Sequence, residues 1–337
     1  MRLLILGGTR FLGRVVAEQA LQRGHDVTTF NRGRSGDDVP GVTTICGDRT
    51  SEQDLAALAD SGPWDAVIDP SGMTVAMVED TTRALADVAS WYVFISTVNV
   101  YRGWPTAPLT DASPLREYTP EGPEGESGPD AYGRQKVGCE RAVVSVFGEC
   151  ATILRPSVIL GPHEYVGRLP WWLSRIHNGG RVLAPGAATW KIQPIDVRDA
   201  ASFSLDCAER HLVGSYNVAA PIGHSTFGEL LAACRKATGS TAELVWVDHV
   251  FLRQHGVREW TELPIWRGHE GTWQVDASRA HATGLTCRPL EETVADTWRW
   301  LQTGVTVSSE RFAELGISAE REKRILAAWD ARMAAEI

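Results

Sequence analysis

Residues Leu3 to Gly13, reading LLILGGTRFLG, constrain the fold more than any other stretch of the chain. Leu3, Leu4, Ile5 and Leu6 form a continuous apolar run, as a parallel strand does when crossover helices bury both of its faces. From Phe11 the period changes. Phe11, Leu12, Val15, Val16, Ala20 and Leu21 recur at helical spacing until Gly24 offers a stop. Gly7, Gly8 and Gly13 let the intervening turn bend sharply, admit a phosphate to the backbone and bring helix against strand. The helix begins after Thr9 and Arg10, and its N-terminus turns free N–H groups toward that phosphate. Taken alone, the stretch fits a dinucleotide site or a plain glycine turn.

Context favours the dinucleotide. Val27 to Phe30 is a second apolar run, and the residue that reads the adenosine ribose is expected near its end, about 20 residues beyond the turn. Asn31 and Arg32 stand there, with Arg34 beyond, where an NAD-binding chain usually places Asp or Glu. A carboxylate repels a 2′-phosphate, whereas arginine pairs with it, so the pattern predicts NADP(H) over NAD(H). A third strand, Val42 to Ile45, ends in Gly47-Asp48-Arg49, where Asp48 stands at the place of an adenine or, alternatively, caps a helix, and Asp48 and Arg49 are expected at the cofactor. Ser51, with Asp54 three residues on, starts the next helix.

Ala66 to Ile68 is a fourth strand, followed by Pro70, Ser71 and Gly72 at the cofactor, a helix from about Val75 to Val88, and a fifth strand, Trp91 to Ile95. This alternation predicts an α/β fold with a doubly wound parallel sheet, whose ligands lie beyond the carboxyl ends of the strands. Ser96 to Tyr101 ends the fifth strand. The segment Arg102 to Ala131, containing PEGPEGESGPD, is read as a solvated loop or a lid. A helix to about Phe147 carries Tyr132 and Lys136, whose spacing of four puts them on one face. After a sixth strand, Ala151 to Leu154, the pattern becomes mainly helical. The expected division is a Rossmann domain of residues 1–166 and 194–222 and a smaller, mainly helical substrate domain of residues 167–193 and 223–337.

The 337 residues carry a net charge of −9, which argues against nonspecific nucleic-acid binding. No apolar stretch approaches the roughly 20 residues of a membrane helix, and the expected location is the cytoplasm. Six scattered cysteines without a CxxC pair are expected as reduced, mostly buried thiols. The nine histidines form no ligand pattern, and no metal is expected.

A tyrosine and a lysine spaced by four, a strand ending in a hydroxyl residue and a dinucleotide turn together make a hydride-transfer apparatus. Tyr132 exchanges a proton with the substrate oxygen, Lys136 supplies the cation that eases this at neutral pH, and Thr97 orients the oxygen. In GGTRFLG, Gly47-Asp48, FISTVNVY, YGRQK and LRPSVILGP the chain resembles the extended and atypical short-chain dehydrogenase/reductases, including the NAD-dependent epimerase/dehydratase group. The resemblance implies a catalytic trio of Thr97, Tyr132 and Lys136, and Pro156 and Ser157 near the nicotinamide. It also implies a C-terminal substrate domain. Trp171, Trp172, Trp190, Trp266 and Arg168 fall in that region and, with Asn99 after the fifth strand, are candidate substrate contacts, core packing being the commoner role for most of the tryptophans and a solvated charge for the arginine. Arg10 replaces the middle glycine of the usual turn and is expected to join Arg32 around a 2′-phosphate. Val98 and Asn99 stand where the dehydratases carry acids, which disfavours elimination of water.

The leading expectation is an NADP(H)-dependent oxidoreductase acting on a carbonyl or secondary alcohol of a small metabolite. The alternatives are a sugar or sugar-nucleotide epimerase with tightly bound NAD(P), or a cofactor-sensing or RNA-associated relative without catalysis. Homodimers are common in the resembling family, and the oligomeric state of this chain stays open.

Overall fold

The computed structural model describes residues 1–120, 128–307 and 309–336. The acidic run read as a loop or lid falls largely on residues 121–127 and lies outside them. The chain divides into two units, Met1–Ile159 with Pro194–Pro221 and Glu270–Cys287, and Leu160–Gln193 with Ile222–His269 and Arg288–Ile337.

The first unit is built on a sheet of seven parallel strands: β1 (Arg2–Leu6), β2 (Asp26–Asn31), β3 (Thr43–Cys46), β4 (Ala66–Asp69), β5 (Tyr92–Ile95), β6 (Ala151–Pro156) and β7 (Gly214–Val218). Their spatial order is β7-β6-β5-β4-β1-β2-β3, the doubly wound arrangement expected. Leu3 pairs with Val27 on one side and Ala66 on the other, so β1 is central. Its four apolar residues are fully buried, and strand periodicity divides them between two cores. Leu3 and Ile5 join Val16, Phe203 and Leu205; Leu4 and Leu6 join Phe30, Val78 and Phe94. Helix α1 (Phe11–Gln22) and the helix Val197–Arg210 form one covering layer. α2 (Glu52–Asp60), α3 (Val75–Leu85) and α4 (Pro129–Phe147) form the other. Ser51 caps α2 by accepting from the Asp54 amide, as its sequence position implies.

The second unit is helical around two small strand pairs. Helices Arg168–His177, Phe227–Thr238 and Leu290–Leu301 pack on one another, and strands Arg181–Pro185 and Glu243–Val247 run parallel. The domain division expected from sequence requires one main correction. Residues 270–287 belong to the first unit, because Val275 bridges to Leu109, the Asp276 carbonyl accepts from Asn217, and Ala280 and Leu285 enter the core beside β1.

Candidate functional site

The turn after β1 has the shape that its glycines require. Gly7 and Gly8 adopt φ of 112° and 103°, backbone that side-chain-bearing residues rarely reach. A Cβ at Gly8 would lie 2.7 Å from Thr29, and one at Gly13 would lie 3.0 Å from the Gly8 amide and 3.2 Å from Pro70. α1 therefore packs directly on the turn at Gly8, and that turn packs on Thr29 of β2. Phe11 opens that helix at φ 39°, a strained position for a bulky residue. Thr9 and Leu12 are buried, Leu12 within the apolar core, so contact with a ligand there falls to backbone groups.

Beyond β2 the chain folds back over this turn. Arg10 donates to the Ser35 carbonyl and Arg14 to that of Asp37. Asp38 then accepts from Thr29 (3.0 Å) and from the Asn31 side-chain amide (2.9 Å), while Asn31 accepts from the Gly33 amide. Arg32 is exposed and 3.9 Å from Asp48. Asp48 accepts from the amide and hydroxyl of Thr50, which together with Arg32 and Arg34 hold its carboxyl below the usual range.

Arg49 does not match its expected place at the cofactor. It is 7% exposed, and its guanidinium is committed to both Asp69 oxygens at 2.8 Å, to Thr81 and to Ser71. Tyr92 donates to the same Asp69, so the arginine neutralises a carboxylate buried under the sheet's carboxyl edge. Ser71 also donates to the Leu6 carbonyl, tying the segment after β4 to the end of β1.

Two of the three predicted catalytic residues, Tyr132 and Lys136, lie on α4, and Thr97 caps the turn after β5. Lys136 is 2% exposed and donates to the Gly72 carbonyl (2.8 Å) and the Ile95 carbonyl (2.7 Å), with its ammonium 4.1 Å above the Phe94 ring. Burial pushes this lysine down to about 8. One turn earlier on α4, Tyr132 is half-buried. Its neighbour Gly133 meets the turn after β5 so closely that a Cβ would lie 2.3 Å from the Asn99 carbonyl. That short 3-10 turn, Val98–Val100, is capped by Thr97, whose hydroxyl accepts from the Asn99 amide. Backbone contact at Gly133 thus brings the elements bearing Tyr132 and Thr97 together. Pro156 ends β6, and the Ser157 amide donates to the Val218 carbonyl of β7.

Two supports of this site escape sequence reasoning. Arg116, 7% exposed, donates to the Asn99 and Trp104 carbonyls and pairs with Asp130 at 2.9 Å, spanning from the turn after β5 to the first turn of α4. Behind them lies a buried chain of polar groups. Ser96 donates to Glu140, Arg155 grips both Glu140 oxygens at 3.0 and 2.7 Å and donates to Tyr101, and Tyr101 donates to Asn217. The only sequence signal for it is a charge at Glu140 and another at Arg155 inside apolar segments.

The second unit holds the remaining candidates and corrects two. Trp172 and Trp266 are 0% and 1% exposed; Trp172 donates to the Pro264 carbonyl and packs edge-on against Trp171 and Phe227. They are core residues, with no surface left for a substrate. Trp171 and Trp190 are partly buried, Trp190 edge-on to His249. Arg168 lies 3.7 Å from Glu164 and 5.1 Å over Trp260, whose ring Arg267 also approaches at 4.6 Å. Burial, with Arg168 nearby, pushes Arg267 down to about 10.

Comparison with known proteins fixes the family. The model of the NAD dependent epimerase/dehydratase family matches residues 3–219, more than half of the sequence. The chain belongs to that family. Among curated relatives, it is 27% identical over 255 residues to the chloroplast stem-loop binding protein of 41 kDa b from Arabidopsis thaliana, covering 71% of this chain and 63% of that protein. To the dTDP-6-deoxy-L-talose 4-dehydrogenase (NAD(P)(+)) of Kitasatospora kifunensis it is 25% identical over 326 residues, covering 88% and 94%. Among solved structures, the Bordetella bronchiseptica enzyme WbmH in complex with NAD+ aligns with a TM-score of 0.69 at 18% identity, covering 89% of this chain and 98% of that one. UDP-glucose 4-epimerase from Thermotoga maritima aligns at 0.67 and 17%, covering 91% and 100%. These structural likenesses show the fold alone, a doubly wound α/β architecture shared with those enzymes.

Among the described residues no group of His, Cys, Asp and Glu is arranged to hold a metal ion, and no helix is long and apolar enough to cross a membrane. All six cysteines are free; Cys139, Cys207 and Cys234 are buried and Cys287 half-buried, whereas Cys46 and Cys150 are exposed.

Proposed function

We propose that the chain is an NADP(H)-dependent oxidoreductase that reduces a carbonyl, or oxidises the corresponding secondary alcohol, of a small metabolite. The observation that carries this reading is the placement of Lys136, buried between the carbonyls that follow β4 and β5, one helical turn from Tyr132 and beside the turn capped by Thr97. The glycine turn fits a dinucleotide, because Gly13 lets α1 pack directly on Gly8 and Pro70 and so sets the helix N-terminus at the turn, where a pyrophosphate binds in such folds. Gly7, Gly8 and the first amides of α1 would hold its phosphates, and Arg10, Arg32 and Arg34 would favour the 2′-phosphate of NADP(H). The bound nicotinamide supplies or accepts the hydride. Tyr132 gives the proton to the substrate oxygen during reduction, and the Lys136 cation eases its loss from the phenol. Thr97 orients that oxygen. The Kitasatospora relative, a dehydrogenase by name, supports the redox reading.

Loss of NADPH absorbance in step with product supports the reductase. Product formed with no net absorbance change identifies the second reading, an epimerase that oxidises and re-reduces one carbon, which the family's named activity favours. Tyr132→Phe is expected to lower the rate by about 10² to 10⁴ while leaving NADPH binding intact. Full activity in that variant would overturn the assignment of the proton to Tyr132. The chloroplast relative is named for stem-loop binding. The net charge of −9 makes RNA binding the weaker reading for this chain. We place the protein in the cytoplasm with a small molecule as its ligand.

A further inference from the structure

The carboxylate that normally reads the adenosine ribose is missing from the end of β2, where Asn31 and Arg32 stand. The fold returns one from elsewhere. Asp38, seven residues later, reaches back to accept from the side chains of Thr29 and Asn31 at 3.0 and 2.9 Å. Thr29 is also the residue pressed against Gly8, 2.7 Å from where a Cβ would stand. One small side chain therefore touches both the phosphate turn and the Asp38 carboxylate. The loop that delivers Asp38 is tied down by the bonds from Arg10 to Ser35 and from Arg14 to Asp37. In a doubly wound fold, the place between the first turn and the end of β2 belongs to the adenosine ribose.

Resting on the reading that a nicotinamide dinucleotide occupies this turn, we infer that Asp38 is a cofactor-discriminating residue. Its carboxylate accepts from the ribose 2′-hydroxyl of NAD(H) and repels the 2′-phosphate of NADP(H). It thereby opposes Arg10, Arg32 and Arg34 and leaves the site open to both dinucleotides. A displaced carboxylate does this without a sequence signature, because its position is set by the loop's fold and not by its distance from the glycines.

The test is a fluorescence titration of the full-length protein with NADPH and with NADH. Asp38→Asn keeps an oxygen to accept from Thr29 and Asn31 and removes only the charge. It is expected to shift the affinity ratio about tenfold toward NADPH, by weakening NADH and tightening NADPH. Asp38→Ser, which also removes the acceptor pair, is expected to shift it in the same direction. Asp37→Asn removes an equal charge one residue away and is expected to leave the ratio within about twofold. An unchanged ratio in both Asp38 variants, or an equal shift in Asp37→Asn, would overturn the inference. Wild-type protein that bound neither dinucleotide would overturn the cofactor reading beneath it, and the inference with it.

Discussion

Lys136 carries an ammonium into the carboxyl edge of the sheet, with backbone carbonyls as its partners. An exposed lysine titrates at 10.5, whereas burial brings this one down to about 8. Between those pH values the unfolded chain still binds a proton that the folded chain has released, so stability rises with pH across the window. Below it both states hold the proton, and carrying the charge into the sheet's edge costs the fold up to about 3 kcal/mol. Lys136→Met has no such titration. The unfolding free energy of wild type relative to that variant is therefore expected to move in the wild type's favour, by up to about 3 kcal/mol, from below pH 8 to above pH 10; a flat difference in chemical denaturation would show an ordinary lysine. Lys136 and Tyr132 were legible because helical spacing fixes their shared face. Arg49 was not, because a charged residue after a strand looks solvated, and nothing in the sequence reveals that Asp69 waits beneath it. Asp38 was hidden for the converse reason: a loop's path, unlike a helix's, cannot be counted out in residues.

At the scale of elements, the question is what holds α4 in register with the ends of β5 and β6. Small residues permit the approach, as Gly133 shows against Asn99, and the buried pair of Glu140 and Arg155 fixes it. Glu140 sits one turn beyond Lys136 and collects Ser96 from the end of β5 and Arg155 from β6. Removing one partner of such a pair leaves a desolvated charge, which costs more than the pair contributes. Glu140→Gln is expected to destabilise the protein by about 3–5 kcal/mol in urea unfolding. Adding Arg155→Met should recover part of that loss, since an apolar side chain needs no counter-charge. Losses that simply summed would mean that the two groups act independently. The strands and helices themselves were readable from periodicity. The ties between them were not, because hydrogen-bond partners such as Ser96 and Asn217 are chosen by tertiary proximity across more than forty residues of sequence.

For the whole molecule, the main departure from the sequence reading is that the first unit recruits residues 270–287 after a long excursion through the second. Reading along the chain favours contiguous domains, and these residues carry no period strong enough to contradict it. Yet Leu285 is 4% exposed in the core that also holds Leu3, Val16 and Ala280. A late substitution should consequently weaken the unit that carries the earliest motif. Leu285→Ala is expected to cost about 2–5 kcal/mol, the range for a buried leucine whose cavity collapses only in part. If NADPH binds the folded first unit alone, a hundredfold excess over its dissociation constant should return about 2.7 kcal/mol to the variant. Thermal unfolding with and without NADPH measures both effects. A Leu285→Ala protein that melted with the wild type would place this segment outside the core of the first unit. One that melted early and gained nothing from NADPH, under conditions where wild type is stabilised, would show that the cavity also disrupts the turn at residues 7–13, since Leu12 and Val15 share that core with Leu285.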